Sequence, residues 1–148
     1  MKHVADFEAE AAIALESVAR SATDSDLEAT GPYRFGLPRV GQDAGAIDVA
    51  CVVQSVVADV RAERPPADIA LAFHHAVTRL VMDLAEEARS TLGLDTVALG
   101  GGVFQNALLL GAAKAELEHE GFTVLVPQRL PPNDAGLALG QILVAAAG

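Results

Sequence analysis

The sequence has 148 residues, a length typical of a single domain. Ten Lys and Arg stand against twenty Asp and Glu, for a net charge of −10, which argues against nucleic-acid binding because phosphates are held by clustered cations. Apolar residues make up 51% of the chain and charged residues 20%, which excludes a disordered chain. A single cysteine, Cys51, excludes an internal disulfide and fits a reducing compartment.

The sequence shows neither a targeting segment nor a membrane segment. The first six residues lack the apolar run of a signal peptide. The longest uncharged stretch, residues 96–113, contains three consecutive glycines and a Gln-Asn pair, which is not typical of a membrane helix. We therefore expect a cytoplasmic protein that does not bind membranes.

Helical spacing of apolar residues predicts three helices in the first two thirds of the chain: one over 4–20, one over 46–62, and a long one after Pro65 and Pro66. Tyr33–Phe35 is a candidate short strand in the loop between the first two. The residues expected to face the core are Phe7, Ala11, Leu15 and Val18, then Ile47, Val52, Val56 and Val60, then Ile69, Phe73, Val77, Leu80, Leu84 and Ala88. His74 lies within the third stripe, where a packed histidine is favoured over a catalytic one.

The last third predicts a short buried strand over 96–99, a helix over 103–119 ended by Gly121, a second strand over 122–126, and a final helix over 135–146. The order strand, helix, strand, helix implies two parallel strands joined by a right-handed crossover. The fold class is therefore α/β, with short parallel strands, flanking helices and a single domain over 1–148.

Three glycines, Gly100, Gly101 and Gly102, lie between the first predicted strand and its helix. Bare backbone amides at a helix start can bind a phosphate, but a tight, closely packed turn is an equally good interpretation. The dinucleotide-binding and P-loop motifs are excluded, because Gln105 stands where GxGxxG needs glycine and no GK[ST] follows. Asn106 could contact a ligand above the glycines or cap the helix.

Asn133 and Asp134 precede the final helix, on the carboxyl side of the second strand. One interpretation is a helix cap, for which Asn and Asp are favoured. The other is a carboxylate that holds a cation beside a nucleotide, because ligands of open α/β sheets bind outside the carboxyl ends of the strands.

Several segments together resemble HypF-type carbamoyltransferases, which are hydrogenase-maturation factors related to antibiotic O-carbamoyltransferases. The specific matches are residues 97–106 (VALGGGVFQN), 121–124 (GFTV) and 131–141 (PPNDAGLALGQ). Residues 69–74 resemble the Phe-His helix of that family, and residues 7–16 resemble its helix that begins Tyr-Glu-Gly-Gln-Ala-Ala. The resemblance covers most of the chain.

The resemblance implies one lobe of an actin-like ATPase fold of the sugar kinase and heat-shock type. In that family, carbamoyl phosphate and ATP give a carbamoyl-adenylate, whose carbamoyl group passes to a cysteine of the partner HypE. By motif matching, Gly100, Gly101, Gly102 and Asn106 would bind the nucleotide, and Asp134 would bind a divalent metal.

The sequence also departs from the family pattern. Gly100 replaces a usual Ser, Ala9 a usual Gly, Glu10 a usual Gln and Ala135 a usual Gly. Two metal-binding histidines of the N-terminal lobe and the upstream modules have no counterpart in the sequence. We therefore expect a C-terminal lobe that is inactive alone and acts with an N-terminal lobe and a HypE-like acceptor. The alternatives are a non-catalytic assembly module that forms a homodimer over an exposed sheet edge, and a lobe of a small-molecule O-carbamoyltransferase.

Overall fold

The computed structural model describes residues 9–22, 33–37, 46–129 and 136–147. In chain order its elements are helix α1 (Glu10–Ala19), α2 (Ala50–Arg61), α3 (Pro66–Leu92), strand β1 (Thr96–Ala98), a short 3-10 helix (Gly102–Gln105), α4 (Ala107–His119), β2 (Thr123–Leu125) and α5 (Leu137–Ala147). The chain divides into two compact units, Met1–Gly93 and Leu94–Gly148. None of the helices in the described ranges has both the length and the apolar character needed to span a bilayer.

Helix α3 is the centre of the first unit, and both α1 and α2 pack against it. Its predicted apolar stripe is half-buried, with Leu84 exposed, so the prediction of a large-residue core face is wrong in part. Because two helices flank α3, small side chains that permit close approach form its core. The buried residues of α3 are Ala70, Ala72, His74, Ala76, Thr78, Met82 and Ala85.

Helices α1 and α2 bury less of their predicted faces than the spacing indicates. In α1, Leu15 is half-buried, but Ala11 and Val18 are exposed; Phe7 lies outside the described residues. The second predicted face keeps Val52 buried and Val56 half-buried, whereas Ile47 and Val60 are exposed. Each of these helices packs against α3, and part of its predicted apolar face remains in solvent.

A buried tyrosine anchors the segment before α2. The Tyr33 hydroxyl donates to Asp59 Oδ2 at 2.5 Å, and Arg64 Nη1 donates to the same oxygen at 2.8 Å. Burial, followed by the bond to Asp59, raises the pKa of Tyr33 to about 12. The Tyr33 hydroxyl and then Arg64 lower the pKa of Asp59 below its usual value. These contacts tie residues on either side of α2 together.

Tyr33–Phe35 does not form the predicted strand. A single antiparallel bridge lies one residue further on, where Gly36 and Asp48 exchange two backbone hydrogen bonds of 2.9 Å. Phe35 instead packs edge-on against Phe73, with ring centroids 6.4 Å apart. The segment is thus held mainly by side-chain packing, because one bridge supplies only two backbone bonds.

The second unit contains the predicted pair of parallel strands, with Thr96 opposite Thr123 and Ala98 opposite Leu125. This confirms the α/β fold class with short parallel strands. The expectation that 96–99 is buried is wrong for Thr96 and Ala98, which are exposed because the described sheet has only two strands. Leu99 is buried and donates its amide to the Leu125 carbonyl at 2.9 Å.

Helix α4 packs on β2 and buries Leu109, Ala113 and Leu117. It stops at Gly121 as predicted: Gly121 has φ 81° and donates to Glu118 O, and Phe122 donates to Leu117 O at 3.0 Å. This pair of bonds is a Schellman motif, and the burial of both Phe122 and Leu117 supplies the hydrophobic contact that accompanies it. The motif directs the chain from α4 into β2.

Candidate functional site

The glycine turn lies at the carboxyl end of β1. Gly101 has φ 93° and ψ 165°, backbone angles that favour glycine, and Gly102 begins the 3-10 helix. The prediction of one continuous helix from Val103 is wrong. Asn106 adopts an extended conformation (φ −68°, ψ 105°), so the 3-10 helix and α4 are separate.

The space beside the glycines is open. A Cβ built on Gly100 or on Gly101 would meet no atom of the described residues within 4 Å, apart from its chain neighbours. Of the two interpretations of the run, a turn that requires glycine therefore holds at Gly101, whereas close packing against this chain does not explain Gly100. Both glycines are exposed, as is Gly102, so a group from solvent can reach their backbone. Backbone amides in such a turn bind anions without a change of protonation.

Asn106 is a helix cap. Its Oδ1 accepts a hydrogen bond from the Leu109 amide at 2.9 Å, which satisfies one of the amides left unbonded at a helix start. Its carbonyl also accepts from the Leu110 amide at 2.9 Å. The capping interpretation of Asn106 is thus confirmed. A ligand contact by this side chain would use the amide nitrogen, its hydrogen-bond donor.

The predicted metal ligand Asp134 and its neighbour Asn133 lie outside the described residues. Within the described part of the chain, no group of three His, Cys, Asp or Glu side chains could hold a metal ion. His74 is buried, and its Nδ1 lies 2.7 Å from the Ala70 carbonyl, so that nitrogen donates to the helix backbone. The interpretation of His74 as a packed residue is therefore confirmed.

The first family-like motif begins with a strained residue. Ala9 has φ 64° and ψ 4°, a left-handed conformation that costs a residue with a Cβ about 1–2 kcal/mol. Its carbonyl accepts from the Ile13 amide at 3.0 Å, so this conformation starts the hydrogen bonding of α1. Glycine, the usual family residue at this position, would adopt this conformation without that cost. Ala9 and Glu10 belong to the first unit, and the glycine turn belongs to the second.

Sequence reasoning missed the contacts of Tyr33, Asp59 and Arg64, because no motif links a loop tyrosine to a carboxylate 26 residues later. It also missed the left-handed backbone at Ala9. The quoted family motif, which usually has glycine there, was the available signal, since glycine adopts a left-handed conformation without steric cost.

These features define an α/β protein with an open glycine turn at the carboxyl end of a strand, where proteins of this class bind ligands. Residues 1–141 match the family model described as carbamoyltransferase, Kae1-like domain, second subdomain. The chain therefore belongs to the HypF carbamoyltransferase family, as its C-terminal Kae1-like part, and the resemblance seen in the sequence is confirmed.

Individual relatives agree with this assignment. The chain is 38% identical over 141 residues to a carbamoyltransferase HypF homolog of Cupriavidus necator, covering 94% of this chain and 35% of that protein. It is 41% identical over 144 residues to carbamoyltransferase HypF of Rhodobacter capsulatus, covering 95% of this chain but 17% of the relative. The chain thus spans between a sixth and about a third of these relatives.

Solved structures of HypF have the same fold. A full-length HypF in a phosphate- and nucleotide-bound form superposes with a TM-score of 0.82 at 30% identity, over 97% of this chain and 21% of that chain. The T. kodakarensis HypF superposes with a TM-score of 0.66 at 26% identity, over 95% of this chain and 18% of that one.

Proposed function

We propose that this chain is the C-terminal lobe of a carbamoyltransferase domain with an actin-like ATPase fold. The reaction would transfer a carbamoyl group from a carbamoyl-adenylate, made from carbamoyl phosphate and ATP, to a thiol of a HypE-like acceptor protein. The observation that carries the proposal is the open glycine turn, which occurs within a segment of HypF family sequence.

The residues of the turn suit the phosphates of a nucleotide. Gly100 and Gly101 leave room in which a Cβ would otherwise stand, and the exposure of this turn gives a phosphate access to its backbone amides. When bound, ATP would supply the adenylate that leaves as the acceptor sulfur bonds to the carbamoyl carbon. The role of this chain would be to hold the phosphates with amides that stay uncharged at every pH.

Asp134 is the residue of this chain that would bind a divalent metal. The described residues offer no set of three ligands, and the resemblance places two histidine ligands in an N-terminal lobe. We therefore propose Asp134 as a single ligand contributed by this chain, and we assign no step of the reaction to the metal.

The same reasoning predicts that the isolated chain is inactive. Among the described residues, β1 and β2 pair with each other alone, and an actin-like fold binds nucleotide between two lobes. An N-terminal lobe would supply both the second wall of the site and further strands. A cytoplasmic location agrees with this proposal.

The first test is calorimetric titration of ATP and Mg²⁺ into the chain, alone and joined to the preceding part of a HypF relative. The decisive variant is Gly100→Leu, which should abolish binding while leaving the fold intact, because a Cβ at this position has no contact within 4 Å beyond its chain neighbours. Gly100→Ser, which restores the usual family residue, should keep binding. Gly111→Leu in α4, also in open space, is the matched control. Unchanged ATP affinity in Gly100→Leu would contradict the proposal.

A non-catalytic assembly module is the second candidate, favoured by the strained Ala9 at the start of a family motif. Such a module would cover its exposed sheet edge with a second copy of the chain. Asp134→Ala separates the two candidates: it should abolish carbamoyl transfer by the completed enzyme, but leave self-association of a module unchanged. Light scattering that shows a monomer at high concentration would exclude the homodimer.

A further inference from the structure

Helix α5 is an apolar helix whose side chains lie in solvent. Its eleven residues, Leu137–Ala147, include no charged residue. Every described side chain from Leu137 to Ala146 is exposed, and the large ones are between 39% and 76% accessible: Leu137, Leu139, Ile142, Leu143 and Val144. A helix that is apolar on all sides is normally buried, and exposed patches of this kind mark interaction surfaces.

One face of α5 is suited to close approach by another element. Leu137, Gly140 and Val144 lie on the same face, because residues three and four apart are neighbours on a helix. A Cβ built on Gly140 would meet nothing within 4 Å, so no neighbour in the described part of the chain accounts for the glycine. Val144, 76% exposed, is the most exposed large apolar residue on the helix.

We propose that α5 docks into an uncharged, aliphatic groove on the part of a HypF-type chain that lies outside the matched segment. The inference rests on the proposed function, in which this chain is one lobe of a longer assembly. The matched segment is 21% of a full-length HypF chain, so about four fifths of that chain is available to cover α5. The groove must be aliphatic because α5 offers no charge to pair with.

A second copy of this chain is a poorer occupant. Each copy carries a net charge of −10, so two copies repel each other over the distance at which they would meet. A segment joined in the same polypeptide meets α5 at an effective concentration set by the linkage, whereas a second copy must associate from solution. The net charge of the chain and covalent linkage therefore both favour a segment of the same HypF-type polypeptide over a second copy of this chain.

The experiment compares this chain alone with a hybrid in which its 148 residues replace the matching part of the Cupriavidus necator homolog. Val144→Cys is introduced into both, with Cys51→Ser, and the alkylation rate at position 144 is followed by mass spectrometry of its peptide. We expect the rate to fall at least tenfold in the hybrid. A rate within twofold of that of the isolated chain would overturn the proposal, as would concentration-dependent protection in the isolated chain, which indicates self-association.

A second measurement does not depend on a cysteine. Gly140→Leu should lower the melting temperature of the hybrid but not that of the isolated chain, because the added side chain fills the face that docks. Gly111→Leu, the other described helical glycine with open space around it, should lower neither. Equal effects of the two substitutions on the hybrid would contradict docking through this face.

These readouts are independent of catalysis. A hybrid that protects position 144 but neither binds ATP nor transfers a carbamoyl group would support the docking and refute the proposed function. A hybrid with activity and a fully reactive thiol at position 144 would support the proposed function and refute the docking.

Discussion

Helices α4 and α5 both follow a strand of the second unit, but they differ in how they are held. Helix α4 is capped by Asn106 at its start, is stopped by Gly121, and buries three side chains on β2 and its surroundings. Helix α5 is more apolar, yet no side chain described for it is buried. Apolar content alone therefore does not bury a helix, because burial requires a second surface packed against it.

The largest expected effect tests this difference directly. Leu117→Ala in α4 removes a side chain with no exposed surface and should lower the free energy of unfolding by about 3 kcal/mol, through lost burial and the cavity left behind. The matched change in α5, Leu143→Ala, should cost less than about 0.5 kcal/mol because that side chain is 61% exposed. Urea denaturation of the isolated chain measures both. Equal losses would show that α5 is buried in solution.

In the first unit, a polar contact holds the segment before α2: the hydrogen bond from Tyr33 to Asp59. Tyr33→Phe should lower the free energy of unfolding by about 2 kcal/mol, because Asp59 loses a donor to its charged form. Folding raises the pKa of Tyr33 to about 12, through burial and then the bond to Asp59. The associated stability is therefore present below the ordinary pKa of about 10 and is lost as the pH rises toward 12.

Tyr33 is the one tyrosine of a chain without tryptophan, so its phenolate absorbance reports this titration directly. Asp59→Asn should move the midpoint down toward the ordinary value. A midpoint near 10 in the unaltered chain would show that the hydroxyl is not held as the structure has it.

The next largest change in stability is expected at Gly121, where α4 ends. Gly121→Ala places a Cβ on a residue with φ 81° and should cost about 1–2 kcal/mol. Gly111→Ala, within the same helix and in open space, should instead stabilise the chain by about 0.5–1 kcal/mol. Thermal unfolding distinguishes the two, and opposite signs are required for the Schellman motif to explain how α4 ends.

The start of α4 separates capping from ligand binding. Asn106→Ala should cost about 1 kcal/mol, because the Leu109 amide loses its acceptor. Asn106→Asp keeps an acceptor oxygen and should retain the stability, but it removes the amide donor. If Asn106 also contacts nucleotide, only the Asp variant gives weaker ATP binding at unchanged stability, whereas unchanged binding would leave the residue as a cap alone.

The smallest expected effect concerns the start of another helix, α1. Ala9→Gly relieves the left-handed strain at φ 64°, but glycine is costlier to order, so we expect a net gain of about 0.5 kcal/mol. Ala11→Gly, in the first turns of the same helix, should destabilise by about 0.5–1 kcal/mol. Chemical denaturation of the two variants measures both signs. A loss for Ala9→Gly would mean that Ala9 is not left-handed in solution.

Features that depend on a few neighbouring residues were predictable from the sequence. Gly121 as the end of α4, Asn106 as a possible cap and the break at Pro65 and Pro66 follow from backbone angles and hydrogen bonds within about one helical turn. The parallel pairing of β1 and β2 followed from the order of elements, because a helix between two strands carries the chain back to the starting end. Family membership was also readable, since it depends on short contiguous motifs.

Which apolar residues are buried, and how the glycine turn is shaped, depends on tertiary contacts that the sequence pattern does not show. Helical spacing marks a face, but whether Val52 is buried and Val60 exposed depends on where α3 lies. Likewise, no local pattern joins Tyr33 to Asp59, or separates the 3-10 helix from α4. Burial depends on the surfaces that meet in space, and helix α5 shows the consequence: its sequence specifies an apolar helix, yet its described side chains stay exposed where no neighbouring surface packs against them.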